Sequence, residues 1–490
     1  MTSLLSPSAA TLAALQAETR PDLFLTEDAT MAAYGRDWSG DHRGVPLAVA
    51  RPRSTAELSD LMARCAAVRL PVVPQGGLTG LVGAATAEPD RRELVVSLER
   101  MATVRSVNPI DYAMVVEAGC ILDVAKQAAA EADCLLPITF GAQGSCRIGG
   151  NVATNAGGFN VLRYGMTRDL VLGLEVVLAD GRVWNGLRTL RKDNRGYDLK
   201  QLFIGAEGTL GIVTAAALKL FPRPARVEAA LLGFRSVPDV MTFYAHARRA
   251  CSDLLSAFEL ILRPGLEVAL RPPAGLPDPL GAPYPAYVLM ELASSGPVDL
   301  RALLEDCLAG SELVADGTIA ASQAQTDKLW LYREMMVEHQ GRGGRYYRTD
   351  VSVPISSIAA FLDAALDALG AAVPDGQPVA YGHVGDGNLH LNVVPPAGLD
   401  AAGVTDLFAR AQAVIYPLLD RFDGSISAEH GIGRVKRNAY VQGLDPVSRD
   451  LAEGLKSMLD PLRILSRDRI LPASGGDPAT TGPGGAPGWH

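Results

Sequence analysis

Three of the chain's seven histidines fall in two compact motifs. The first is Gly382-His383-Val384-Gly385-Asp386-Gly387-Asn388-Leu389-His390-Leu391-Asn392, and the second is Ala428-Glu429-His430-Gly431-Ile432-Gly433. The turn-prone Gly-Asp-Gly-Asn between His383 and His390 can fold the chain back so that both imidazoles meet. Glu429 could add a carboxylate oxygen, giving a two-histidine, one-carboxylate metal set with open positions. Asp386 is an alternative ligand, although a glycine on each side suits it better to the turn. His430, beside a candidate ligand, is placed to act as a base: a divalent ion lowers the pKa of a bound hydroxyl, and His430 takes the proton. His42, His246, His339 and His490 read as hydrogen-bonded or surface residues.

A second kind of chemistry resides in three glycine-rich segments. They are Pro74-Gln75-Gly76-Gly77-Leu78-Thr79-Gly80-Leu81-Val82-Gly83, the stretch from Gly141 to Gly158, and Gly205-Ala206-Glu207-Gly208-Thr209-Leu210-Gly211. Closely spaced glycines let successive backbone N–H groups converge on an anion without obstruction by Cβ, as in a pyrophosphate nest. None is followed by the Lys-Ser/Thr of a P-loop and none has the GxGxxG of a Rossmann unit. Three such loops within about 140 residues point to a long dinucleotide lying across several of them.

These residues need a scaffold, and 490 residues with 48% hydrophobic and 20% charged side chains predict a globular chain of two or three domains. The net charge of -9 argues against a nucleic-acid partner. Six scattered cysteines without a CxxC pair read as buried apolar residues. The N-terminus has no basic start before its apolar stretch, and no uncharged apolar run reaches the roughly 18 residues of a bilayer span, so the expectation is a cytoplasmic protein with no transmembrane segment.

The expected organisation is a helical lead-in over 1–40, starting at Ser6-Pro7, then a first domain over 41–224. There Ser54/Thr55 cap a helix to about Val68, Leu70–Val73 is a strand, Asp123–Ala132 a helix, and Leu170–Leu178 a strand turning at Asp180-Gly181. The prolines of Leu220-Phe221-Pro222-Arg223-Pro224 mark a boundary. A second domain follows over 225–400, with strands near 229–234, 286–292 and 389–394, a helix at Trp330–Glu334 and a strand after it across Tyr346–Pro354. A mostly helical segment spans 401–472, and the Gly/Pro-rich 473–490 reads as a disordered tail.

Together the loops resemble the FAD-binding domain of the vanillyl-alcohol oxidase superfamily. The His/Glu motifs resemble the C-terminal domain of FAD-linked oxidases, found in D-2-hydroxyglutarate and D-lactate dehydrogenases and the glycolate oxidase flavoprotein subunit. The resemblance covers about residues 45–465. It implies an α+β fold: a PCMH-type FAD-binding domain, an antiparallel-sheet substrate domain and a C-terminal helical segment. It also implies that FAD is held by Pro74, Gln75, Gly76, Gly77, Leu78, Thr79, Gly80 and Leu81 from the first loop. Gly141, Gly144, Ser145, Ile148, Gly149, Gly150, Asn151, Thr154, Asn155, Gly157, Gly158 and Tyr164 come from the second. Glu207, Gly208, Gly211, Ile212 and Val213 complete the set. Leu78 stands near the place of the histidine that links covalently to flavin in some members, so non-covalent FAD is implied.

For the metal half, the resemblance implies that His383, His390 and Glu429 ligate zinc or a similar divalent ion. It makes His430 the general base and Asn392 a substrate contact. Arg333, Val337 and Arg348 correspond to the residues that hold the distal carboxylate of 2-hydroxyglutarate. The implied reaction oxidises a D-2-hydroxy acid, D-2-hydroxyglutarate first and D-lactate, D-malate or glycolate after it, with hydride passing to flavin N5. Electron-transfer flavoprotein is the implied acceptor and a homodimer the default assembly. The family's closing Asn-Pro-Gly-Lys segment is replaced by Leu465-Ser466-Arg467-Asp468-Arg469-Ile470-Leu471. Rival readings are a zinc hydrolase with merely structural glycine loops, a non-catalytic flavin-binding subunit, and an oxidase using O2 directly.

Overall fold

Local sequence sets the first elements. Ser54 is extended and its hydroxyl accepts the Glu57 N–H at 3.2 Å, which starts the helix Thr55–Ala67; such a cap contributes about 1 kcal/mol. Leu58, Leu61, Met62 and Cys65 form its buried stripe. The chain turns at Arg69 and enters the strand Val72–Gln75, which leads directly into the first glycine loop. Further on, the helix Leu122–Glu131 forms within one residue of the expected span, and the strand Val171–Val177 turns at Gly181 (φ 88°) to pair with Val183–Asn185.

The computed structural model describes residues 9–272 and 275–473. The Ser6-Pro7 helix start, the tail beyond Ala473 and His490 lie outside the described residues. The chain divides into two units, one made of 1–157, 166–222 and 429–490, the other of 158–165 and 223–428.

In the first unit a four-stranded sheet runs Phe24–Leu25, Ala48–Ala50, Leu94–Ser97, Val72–Gln75, the last three parallel. A five-stranded antiparallel sheet runs Val104–Asn108, Ala113–Glu117, Ile212–Lys219, Val171–Val177, Val183–Asn185. One apolar core joins them through residues such as Leu58, Val72, Leu94, Val116, Leu174 and Ile212.

The second unit is built on a seven-stranded antiparallel sheet ordered Asp316–Ile319, Arg226–Phe234, Ala286–Ser294, Leu255–Leu262, Gln377–His383, Asn388–Val394, Val351–Ser352. Alternation along each strand gives it two buried faces. Leu260, Val288 and Leu391 pack against the helices Val237–Cys251, Leu300–Ala309, Ile358–Ala372 and Ala401–Arg421. Ile261, Leu289 and Tyr381 pack against Arg263–Leu270 and Gln323–Gln340. The segment Ile355–Ala372 is long and apolar enough to cross a membrane by length and composition. Its Ile358, Phe361, Leu362, Ala365 and Leu369 are buried in the core, the one-sided pattern of a packed helix.

Three expectations change. The helical segment over 401–472 is not one body. Ala401–Arg421 buries Leu407, Phe408, Ala411 and Ile415 in the second unit, whereas residues from 429 onward belong to the first. Gly158 and Tyr164, expected in the FAD domain, lie in a segment that joins the second unit, where Arg163 donates to the Ala293 carbonyl. The strand expected across 346–354 narrows to the edge strand Val351–Ser352, because only this stretch pairs continuously with Asn388–Val394, Tyr347 adding an isolated bridge to Val393.

Candidate active site

In the first unit the three glycine loops converge. A Cβ on Gly77 would clash with the backbone of Ser145 and Cys146, so the first loop can rest on the second only as glycine. Gly208 (φ 71°) packs against the Pro74 ring, which brings in the third. By contrast Gly80, Gly141 and Gly150 face open space. Leu78 holds a left-handed φ of 57°, the alternation of hand that makes a backbone nest. Among the described residues the buried Asn151 Nδ2 finds no oxygen acceptor, only the weakly accepting sulfur of Cys146 beside it, and a buried amide so poorly partnered suits a bound polar group. Open glycines, a nest and an amide donor lacking an oxygen acceptor fit FAD.

Other side chains named for the cofactor serve the scaffold. Gln75 is buried and donates to the Tyr34 and Ala85 carbonyls at 2.9 and 2.8 Å. Ile148, Ile212 and Val213 lie in the apolar core. Thr154 bonds back to the Gly150 carbonyl, and Asn155 accepts the Arg168 N–H at 2.8 Å. Glu207 accepts the N–H groups of Ile432 and Gly433 at 2.7 and 2.8 Å, so its carboxylate shapes the loop that carries Glu429 and His430. Burial pushes the Glu207 carboxyl up, against the pull of those two N–H groups and of Lys436. Gly157 must lack a side chain because a Cβ there would meet the Glu429 carboxylate. The closing segment is held by Arg469, which pairs with Glu93 at 2.8 Å and donates to the Thr86 carbonyl.

In the second unit the Gln377–His383 and Asn388–Val394 strands form the hairpin expected at Gly-Asp-Gly-Asn, with Gly387 at φ 82°. Asp386 accepts the Asn388 N–H at 3.0 Å, the bond of a turn residue. Register pairs His383 with Asn388 and His390 with Tyr381, so both histidines share one face, their rings 6.0 Å apart and perpendicular. His383 Nδ1 lies 2.5 Å from Glu259 Oε1, and His390 Nδ1 lies 3.0 Å from the Thr349 carbonyl. Partners on Nδ1 make Nε2 the nitrogen with which each ring could ligate a cation.

Arg333, on the helix Gln323–Gln340, is 3% exposed. Among the described residues it donates from Nε to Glu259 Oε2 at 3.0 Å and from neither terminal nitrogen. Its guanidinium lies 4.5 Å from the centroid of Tyr381 and 5.3 Å from that of Phe159. Burial alone would raise the Glu259 carboxyl, but His383 and Arg333 beside it hold it below the ordinary value. Asn392 donates to Gln340 and Tyr381 and accepts from the Thr349 N–H at 2.9 Å. Arg348 lies over the Tyr346 ring at 4.6 Å. Val337 is 37% exposed, one turn beyond the buried Arg333.

Glu259 and Phe159 were not foreseen. Glu259 had a legible signal, a lone acid in the apolar run Leu255–Leu262, because an unpaired charge is not tolerated inside a sheet. Phe159, 5.1 Å from Trp330 and 5.6 Å from His383, had none.

Residues 46–186 match the FAD binding domain and 223–470 match the FAD linked oxidases, C-terminal domain. The chain is 40% identical to D-2-hydroxyglutarate dehydrogenase, mitochondrial, of Bos taurus over 92% of its own length and 82% of that protein. It is 40% identical to D-2-hydroxyglutarate dehydrogenase of Xanthomonas citri over 91% and 93%. Among solved structures it resembles p-cresol methylhydroxylase, with a TM-score of 0.72, 18% identity and coverage of 96% and 99%. That likeness shows the fold, the PCMH-type arrangement of an α+β flavoprotein. With both domains matched in order and relatives at 40% identity along nearly the whole chain, the protein belongs to the FAD-linked oxidases, in the family of the D-2-hydroxyglutarate dehydrogenases.

Proposed function

We propose that the enzyme oxidises D-2-hydroxyglutarate to 2-oxoglutarate. The observation that carries the substrate is Arg333, buried with both terminal nitrogens unspent, together with Arg348; a guanidinium grips a carboxylate through two parallel hydrogen bonds. These arginines hold the carboxylate remote from the reacting carbon, and Val337, which has no donor, adds only apolar contact. Asn392, with both N–H groups spent, offers the substrate one remaining oxygen lone pair.

His383 and His390, with Glu429, are the residues that would hold a divalent ion, zinc first; all are of a kind and burial that suit it. Glu429 follows Ala428, whose N–H donates to the Asp350 carbonyl at 3.3 Å, so the chain reaches it from the end of the strand-edge segment. An ion held there would supply the charge that lowers the pKa of the substrate hydroxyl, and FAD in its site would supply the hydride acceptor. His430 receives the hydroxyl proton. The backbone of 76–80, 141–145 and 149–151 and the side chain of Asn151 would hold the cofactor.

Six free, buried cysteines suit a reducing compartment, the cytoplasm foremost; the Bos taurus relative is named as mitochondrial. A net charge of -9 favours a soluble acceptor with a basic patch, such as an electron-transfer flavoprotein.

Anaerobic mixing with a panel of D- and L-2-hydroxy acids tests the reading. D-2-hydroxyglutarate is expected to bleach the flavin fastest, and His430→Ala to keep flavin and metal while losing that bleaching. Faster bleaching by a monocarboxylic acid would overturn the substrate, and unchanged reduction in the variant would remove His430 from the mechanism.

A further inference from the structure

The strand Leu255–Leu262 is buried along its whole length, and Glu259 is its single charged residue, 1% exposed. A carboxylate inside a sheet needs partners of opposite charge or strong donors. Its two oxygens are divided: Oε1 faces His383 Nδ1 at 2.5 Å, and Oε2 accepts from Arg333 Nε at 3.0 Å. Register brings this about, since Glu259 and His383 are opposite one another across antiparallel strands and therefore share a face. Arg333 reaches that face from the helix that covers it.

We propose that Glu259 is a positioning residue that serves metal and substrate at once, fixing His383 as an Nε2 ligand and presenting the terminal nitrogens of Arg333 to the remote substrate carboxylate. This rests on the reading of His383 as a metal ligand and Arg333 as the carboxylate clamp. A carboxylate accepting Nδ1–H fixes the imidazole tautomer and strengthens the opposite nitrogen as a donor to metal. On the arginine, binding Nε to the protein leaves the two terminal nitrogens as a fork. The rings of Phe159 and Tyr381 fix the plane of that fork. Each function uses one oxygen, so metal affinity and dicarboxylate recognition depend on a single side chain.

Glu259→Gln preserves volume but offers one acceptor and one NH2 group, so one partner must meet a donor. Full-length, FAD-loaded protein, stripped of divalent ions by a chelator, would be titrated calorimetrically with zinc chloride. Steady-state constants would be measured with D-2-hydroxyglutarate and with D-lactate. The variant is expected to bind zinc roughly 10–100-fold more weakly. Its KM for D-2-hydroxyglutarate is expected to rise by about ten-fold or more, an interaction worth over 1.4 kcal/mol, and that for D-lactate far less, with flavin content unchanged. Glu259→Asp keeps the charge but is too short to span both partners, so it should lose at least one property; it replaces the Gln variant if that fails to fold. Zinc affinity and both KM values within two-fold of wild type would overturn the inference, as would equal losses on both substrates accompanied by lost flavin, the mark of a merely structural pair. A wild-type protein that takes up no zinc would instead overturn the metal reading itself, and this inference with it.

Discussion

The carboxylate of Glu207 accepts the backbone N–H of Gly433 at 2.8 Å and that of Ile432 at 2.7 Å across 225 residues of sequence. A side chain from one glycine loop thus shapes the Glu429–Gly433 loop, with Gly431 and Gly433 both at positive φ. Glu207→Ala would leave one buried and one half-buried donor unpaired and should destabilise this unit by about 3 kcal/mol. Glu207→Gln retains an acceptor for one of them and should lie between. Denaturation midpoints with parallel activity assays check this; an Ala variant as stable and active as wild type would refute the role.

Glycines in the first loop separate by what surrounds them. Gly77 meets the backbone of Ser145, so Gly77→Ala should prise the loops apart and yield poorly folded, colourless protein. Gly80 faces open space, so Gly80→Ala should fold as wild type yet bind FAD more weakly, the new methyl group standing where the cofactor runs. Thermal unfolding of the apoproteins and flavin titration distinguish the two. Equal flavin affinity for Gly80→Ala and wild type would move the cofactor away from that residue.

Arg348 should act on the second carboxylate of the substrate. Arg348→Ala is expected to lower kcat/KM for D-2-hydroxyglutarate by about 100-fold, since a charged hydrogen-bonded contact is worth up to about 3 kcal/mol. The loss with D-lactate should be several-fold at most. Comparable losses on the two substrates would show that Arg348 supports the fold and not the choice of substrate.

Glu291 gives a pH dependence with a definite sign. It is half-buried on the strand Ala286–Ser294, bound by Ser256 and Trp330 at 2.9 Å each, and desolvation pushes its carboxyl above the ordinary 4.5. An acid whose folded pKa is raised stabilises the fold below the unfolded value, and that contribution is lost as pH rises through the folded value. The window therefore opens near 4.5 and extends upward. Glu291→Gln, which mimics the neutral acid, should flatten the dependence of melting temperature on pH across this window. Parallel curves for wild type and variant would show that Glu291 does not titrate there.

Much of this was legible in local pattern. The Ser54 cap, the proline boundary at 222–224, the Asp180-Gly181 turn and the Gly-Asp-Gly-Asn hairpin depend on residues within a few positions of one another. Their backbone preferences act whatever the rest of the chain does. The glycine loops and the histidine pair were readable for the same reason, since turn chemistry and strand register over ten residues suffice to bring His383 beside His390. Tertiary structure decided what local preference cannot reach. The 158–165 segment left the flavin loops for the second unit, the C-terminal helices were divided between two cores, and the long-range partners of charged groups were chosen: Glu259 for His383 and Arg333, Glu207 for Gly433. A buried charge announces in sequence that it must be paired, because desolvation is costly; which residue pairs with it is set only by the packing of distant strands and helices.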